Sequence, residues 1–165
     1  MLTIRHDIWA LRGMMLNVVD VCIGTNIGWK ADGENVMGRG LAKQAASRYT
    51  DLPASYGQWC GEVGEGAYYY KPGRVWCIPS KPLNPDQHPW LSWQNPGSLP
   101  LVEAGLKALY REFRILHSSM GYYCLVPLIG AGNAGLQKSD VRSLIERVLG
   151  DDHRFILVLP PRGGS

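Results

Sequence analysis

Four short apolar runs, residues 17–23, 75–78, 122–128 and 155–159, alternate along this 165-residue chain with three stretches of helical periodicity, and that alternation narrows the possible folds more than any other feature. Each run is rich in Val, Ile, Leu or aromatic residues and is bounded by turn formers, the pattern of a buried strand. The intervening stretches, 36–49, 99–117 and 139–149, place apolar residues three and four apart, as in Leu106, Leu109 and Phe113 or Val141, Leu144, Ile145 and Val148. Strands joined through helices pair in parallel, because a parallel connection needs a crossover. The expected fold is therefore an α/β sandwich around a largely parallel sheet.

The length suits one core, so residues 1–162 are expected to form one domain, with 163–165 as a tail. Seventeen basic against fourteen acidic residues give a net charge of +3, enough for weak attraction to phosphate and too little for a polybasic arm. Cys22, Cys60, Cys77 and Cys124 form no CxxC pair and have no zinc-type histidine spacing, so they are read as buried free thiols, with no metal centre expected. No apolar run reaches the roughly 18 residues of a membrane span and no signal-peptide pattern opens the chain, which makes a reducing cytoplasm the expected compartment.

The chemistry concentrates in two glycine loops, each between a predicted strand and a predicted helix. Thr25-Asn26-Ile27-Gly28 leads through a polar stretch to Asn35-Val36-Met37-Gly38-Arg39-Gly40-Leu41-Ala42, and Ile129-Gly130-Ala131-Gly132-Asn133-Ala134-Gly135-Leu136 follows the third strand. Glycines permit close approach of backbone to phosphate, and free N–H groups at a helix start favour an anion there. Either loop alone could be a tight turn. Two at strand C-termini make a cleft able to grip a diphosphate from both sides. Neither matches the P-loop or the full GxGxxG pattern, which argues against an ordinary NTPase or dehydrogenase.

These loops, together with His6-Asp7-Ile8-Trp9 and Pro79-Ser80-Lys81, resemble macrodomains, and within them the branch that contains DarG-type DNA ADP-ribosyl glycohydrolases and terminal ADP-ribose protein glycohydrolases. The resemblance runs over most of the chain. It implies a three-layer α/β/α sandwich with a mixed, largely parallel sheet and an ADP-ribose site. In that site Asp7 would accept from the adenine amino group with Ile8 beside it, and Thr25 and Asn26 would lie near the distal ribose. Met37, Gly38, Gly40 and Leu41 would line one side of the diphosphate, and Gly130, Ala131, Gly132, Asn133, Ala134, Gly135 and Leu136 the other. Lys81 would be the nucleophile, with Asn26 orienting the ribose, because a partly desolvated amine can attack an anomeric carbon. Asp7 as a helix cap and Lys81 as a solvated cation are the simpler alternatives.

One position departs from the protein glycohydrolases, which carry an aspartate in the second loop where this chain has Ala134. That departure favours the DarG-like side and also suits a binding module without turnover. The implied function is removal of ADP-ribose from a modified macromolecule, DNA foremost, without cofactor, with an ADP-ribosyltransferase toxin as the implied partner. A phosphatase acting on ADP-ribose 1''-phosphate is a further alternative. Residues 82–97, with four prolines and two tryptophans, form a long structured loop next to Lys81. Its His88, Trp90 and Trp93 could stack on bases of single-stranded DNA while Lys30, Arg39 and Lys43 meet phosphates, or the tryptophans could cover a sheet edge. His6, His117 and His153 show no ligand pattern, and Tyr68-Tyr69-Tyr70 reads as a half-buried strand.

Overall fold

Odd and even residues of the second strand face opposite ways, and both sets are buried: Val19, Val21 and Ile23 join one apolar cluster, Cys22 the other. A strand buried on both faces needs a layer of helices above and below. The computed structural model describes residues 1–15 and 18–163 and supplies those layers. Position 17 of the first expected strand and residues 164–165 of the expected tail lie outside the described residues.

In chain order the elements are β1 (Thr3–Arg5), α1 (Ile8–Met15), β2 (Val19–Asn26), α2 (Gly40–Arg48), α3 (Leu52–Glu62), β3 (Tyr68–Tyr70), β4 (Val75–Lys81), α4 (Leu99–Leu116), β5 (Tyr123–Val126), α5 (Lys138–Leu149) and β6 (Phe155–Leu159). They form a six-stranded sheet in the order β1-β6-β5-β2-β4-β3, parallel throughout except for β3 against β4. Helices α4 and α5 cover one face through Leu106, Leu109, Phe113, Val141 and Ile145. The other face is covered from α1, α2 and α3 by Trp9, Leu11, Ala45, Leu52 and Tyr56. The expected three-layer sandwich with a mixed, largely parallel sheet is the observed fold.

Element ends differ from the sequence expectation for local reasons. The helix expected over 36–49 begins at Gly40, since Arg39 is extended (φ −146°, ψ 155°) and Gly40 turns the chain with φ +58°. The strand expected over 75–78 continues to Lys81 through Pro79, which is tolerated because β3 pairs only with Val75, Trp76 and Cys77 and leaves the rest of β4 as an edge. The run 122–128 yields strand only over Tyr123–Val126, ending where Pro127 removes an N–H. Helices α1 and α3 and strand β1 were not expected: α1 has eight residues, β1 has three, and α3 carries Pro53, Gly57 and Gly61. Tyr68–Tyr70 is the half-buried strand that was expected.

All four cysteines are buried and free. His117 is not isolated: its Nε2 lies 2.9 Å from Oδ2 of Asp20, a carboxylate only 1% exposed that also accepts from Trp76 Nε1 at 2.9 Å and Tyr69 OH at 3.3 Å. Three partners satisfy a carboxylate that would otherwise be too costly to bury. This cluster sits at the start of β2, away from the glycine loops. Among the described residues no helix is long and apolar enough to cross a membrane.

Candidate functional site

Because five strands run parallel, their C-terminal ends share one edge of the sheet, and the loops after β1, β5, β2 and β4 meet there in that spatial order. Asp7 follows β1, the loop 129–136 follows β5, the stretch 27–39 follows β2, and Lys81 ends β4. Asp7 and Lys81 thus stand about 19 Å apart along that edge, four strand spacings of ~4.8 Å. The two glycine loops lie between them.

At the β1 end, Asp7 does cap a helix: its Oδ1 accepts from Ala10 N–H at 2.8 Å at the start of α1. The carboxylate is exposed, and Oδ2 remains open to another donor. Ile8 beside it is buried in the core.

In mid-cleft the two loops touch. A Cβ on Gly40 would sit 3.4 Å from Asn133 Nδ2, and Gly38 faces open space. Gly130 has φ +81°, a conformation strained for any residue with a side chain, and a Cβ there would also press on Leu136 Cδ1 at 2.7 Å. The loop 129–136 closes on itself through Leu136 N–H to Gly130 O at 2.9 Å and Gly135 N–H to Gly132 O at 3.1 Å. Backbone N–H groups of Gly132, Asn133 and Ala134 have no backbone acceptor among the described residues. Arg39 gives the first turn of α2 no side-chain cap, so its orphan N–H groups add to the same region. Met37 is buried and Leu41 half-buried, anchoring this loop to the core beneath.

At the far end, Ser80 is an extra residue in β4: Thr25 pairs with Pro79, and Asn26 with Lys81. Such a bulge re-aims the next side chain. It brings the two expected catalytic residues side by side. The Lys81 amine donates to Trp93 O at 2.7 Å. Partial burial, and then the nearby Arg39 guanidinium, lower its pKa below the ordinary lysine value. Both effects disfavour the ammonium form.

Asn26 is committed more to the loop than to open space. Its Oδ1 accepts from Gly28 N–H at 3.0 Å and Asn35 Nδ2 at 2.9 Å, while its Nδ2 donates to Val36 O at 2.8 Å, leaving one amide hydrogen. Thr25 turns inward, its hydroxyl 2.6 Å from Tyr56 OH. Sequence reading missed Asn35, which is 2% exposed and also donates to Gly28 O at 2.7 Å and Asn26 O at 3.1 Å. It closes the base of the excursion 29–34, in which exposed Lys30 lies 3.7 Å from Asp32 and 3.6 Å from Glu34. The available signal was an asparagine at the end of a polar loop just before Val36-Met37-Gly38. Trp93 could not be found as the partner of Lys81, because its contribution is a backbone carbonyl.

Residues 82–97 fold back over this end. Ser92 Oγ donates to Pro82 O at 3.0 Å and lies 3.2 Å from Lys81 O, Asn95 Nδ2 donates to Pro82 O at 2.8 Å, and the middle forms a 3-10 turn, Pro89–Gln94. Gly97 N–H donates to Ala134 O at 2.8 Å, and a Cβ on Gly97 would stand 2.9 Å from that of Ala134. Ala134 is thereby 8% exposed. A longer acidic side chain at this position would be buried beside Gly97. Ala134→Asp is expected to destabilise the fold by about 3 kcal/mol through overpacking and an unpaired buried carboxylate. Urea unfolding measures this directly, and an unchanged midpoint would mean that the segment yields.

No protein-family model matches the chain. Two sequence relatives, the DNA ADP-ribosyl glycohydrolases of Mycobacterium bovis and Mycobacterium tuberculosis, are 31% identical over 140 residues, 79% of this chain. The chain spans 36% of the length of each. Among solved structures it is similar to the macrodomain of Mycobacterium tuberculosis DarG (TM-score 0.68, 21% identity, 97% of both chains) and to that of Thermus aquaticus DarG (0.66, 22%, 96% of both). It also resembles Thermosipho africanus DarTG in complex with ADP-ribose (0.65, 17%, 90% of this chain and 39% of that one).

Proposed function

We propose that this chain is a macrodomain of the DarG type and an ADP-ribosyl hydrolase that removes ADP-ribose from DNA. The observation that carries this is the placement of Lys81 beside Asn26 at the same sheet edge as two glycine loops, one of which has three successive N–H groups without a backbone acceptor among the described residues; burial also lowers the pKa of Lys81. Adenine would sit against Asp7 and the diphosphate between the two glycine loops. That puts the distal ribose at Lys81.

The neutral amine of Lys81 adds to the anomeric carbon of that ribose as the bond to the DNA base breaks, and the base leaves with a proton. Water then releases the ribose and restores the amine. Asn26 and Asn35 hold the neighbouring loop in register. An ADP-ribosyltransferase that places the modification is the corresponding partner. A cytoplasmic setting fits four unpaired thiols, two of them with sulfurs only 3.4 Å apart.

Incubation with ADP-ribosylated single-stranded DNA, an ADP-ribosylated glutamate peptide and ADP-ribose 1''-phosphate tests the proposal. Release of ADP-ribose from DNA is expected. Release from peptide alone would reassign the acceptor, phosphate release would make the chain a phosphatase, and tight ADP-ribose binding with no release would make it a binding module.

Arg39 adds to burial in shifting the pH range of the reaction. Turnover needs the free amine, so the rate rises with pH through the lowered pKa of Lys81. Arg39→Gln removes one of the two causes of that lowering, and the acid limb of the kcat profile is expected to move to higher pH. Loss near neutral pH is then recovered in alkali. A uniform loss of kcat at every pH would show that Arg39 does not act through the Lys81 amine.

A further inference from the structure

Side chains three residues apart eclipse one another in a 3-10 helix, so Trp90 and Trp93 fall on one side of the turn Pro89–Gln94. Trp93 is half-buried at the inner end, its ring centroid 5.9 Å from the Arg39 guanidinium carbon and its carbonyl bonded to the Lys81 amine. Trp90 stands one turn away, about 6 Å along the helix axis. It is 44% exposed, and its ring lies within 11° of parallel to that of exposed His88, with centroids 5.5 Å apart.

The support under these rings is firm. Gly28 backs directly onto the Pro89 carbonyl, where any side chain would collide, and Ser92 and Asn95 tie the turn to the end of β4. Of the two tryptophans, Trp93 packs at Lys81 and Trp90 displays an aromatic surface just outside the cleft.

We propose that His88 and Trp90 form a stacking platform for the nucleobase adjacent to the ADP-ribosylated one in single-stranded DNA, with Arg39 facing the phosphate between them. This rests on the DNA reading of the Lys81 site. Every base has a π face, so an exposed indole takes any neighbour, and a nearby guanidinium suits the backbone. A duplex keeps its bases stacked on each other, whereas an unpaired strand leaves them free for the indole.

Binding of two substrates to Lys81→Ala protein tests the platform: a five-nucleotide strand with one ADP-ribosylated base, and the same modified base as a mononucleotide. Fluorescence anisotropy is expected to show the strand binding about tenfold more tightly. Adding Trp90→Ala, or an abasic linker beside the modified base, should remove most of that advantage, while Trp90→Phe keeps most of it and free ADP-ribose binds equally to all. Equal affinity for strand and mononucleotide overturns the platform, as does an advantage that survives Trp90→Ala. If the wild-type protein binds the strand through Trp90 yet releases nothing, the hydrolase reading falls and the platform stands. No binding of either substrate overturns both.

Discussion

Replacing Lys81 with alanine is expected to lower turnover by about 10³-fold or more while leaving affinity for free ADP-ribose nearly unchanged. The lysine ends β4, outside the two loops that would hold the diphosphate, so its loss removes the reacting amine and spares the binding surface. Lys81→Arg separates charge from nucleophilicity. A guanidinium keeps the cation but stays protonated at any working pH, so Lys81→Arg should be as inactive as Lys81→Ala. Turnover in Lys81→Ala above about a tenth of wild type would mean that another group or a bound water attacks the ribose, and the assignment of the nucleophile would fall.

The second large effect is expected at Asn35, where an isosteric change reverses the sign of three contacts. Its amide Nδ2 faces Asn26 O, Asn26 Oδ1 and Gly28 O, all acceptors. Asn35→Asp, with the carboxylate oxygen in place of Nδ2, sets a buried charge against them, which costs about 3–5 kcal/mol. Asn35→Ala should cost less, because it removes the donor without adding a charge. The loss in Asn35→Asp should also shrink as pH falls: burial among acceptors raises that carboxyl's folded pKa above its unfolded value, and the protonated form can donate one bond. Urea titrations of both variants at pH 5 and pH 8 measure the order and the pH trend. Equal stability of Asn35→Asp and wild type would show that the amide does not organise the loop. Turnover should fall with stability in both variants, since Asn35 and Asn26 share one network that ends beside Lys81.

The sheet and its long helices were legible because their signals are local. Strands buried on both faces read as continuous apolar runs, and α4 and α5 carry apolar residues at helical spacing over 18 and 12 residues. Helix α1 and strand β1 were not legible, being too short for any period to register. Helix α3 was masked by Gly57, whose missing side chain admits the Gly33 carbonyl, a contact between segments that sequence spacing does not display.

For the site, sequence alone determined the chemistry available: glycine loops at two strand ends, a carboxylate at position 7, and a lysine just past the run that became β4. Those residues sit within or beside regular elements, so their order along the chain fixed which edge of the sheet they share once the strands are parallel. Tertiary structure decided the rest. The bulge at Ser80 set Lys81 beside Asn26, the Trp93 carbonyl took its amine, Asn35 bound the ends of a loop nine residues apart, and Gly97 closed over Ala134. Each of these depends on backbone groups or on close approach between distant segments. A backbone carbonyl is the same at every position in a sequence, and only the folded chain determines which one meets a given side chain.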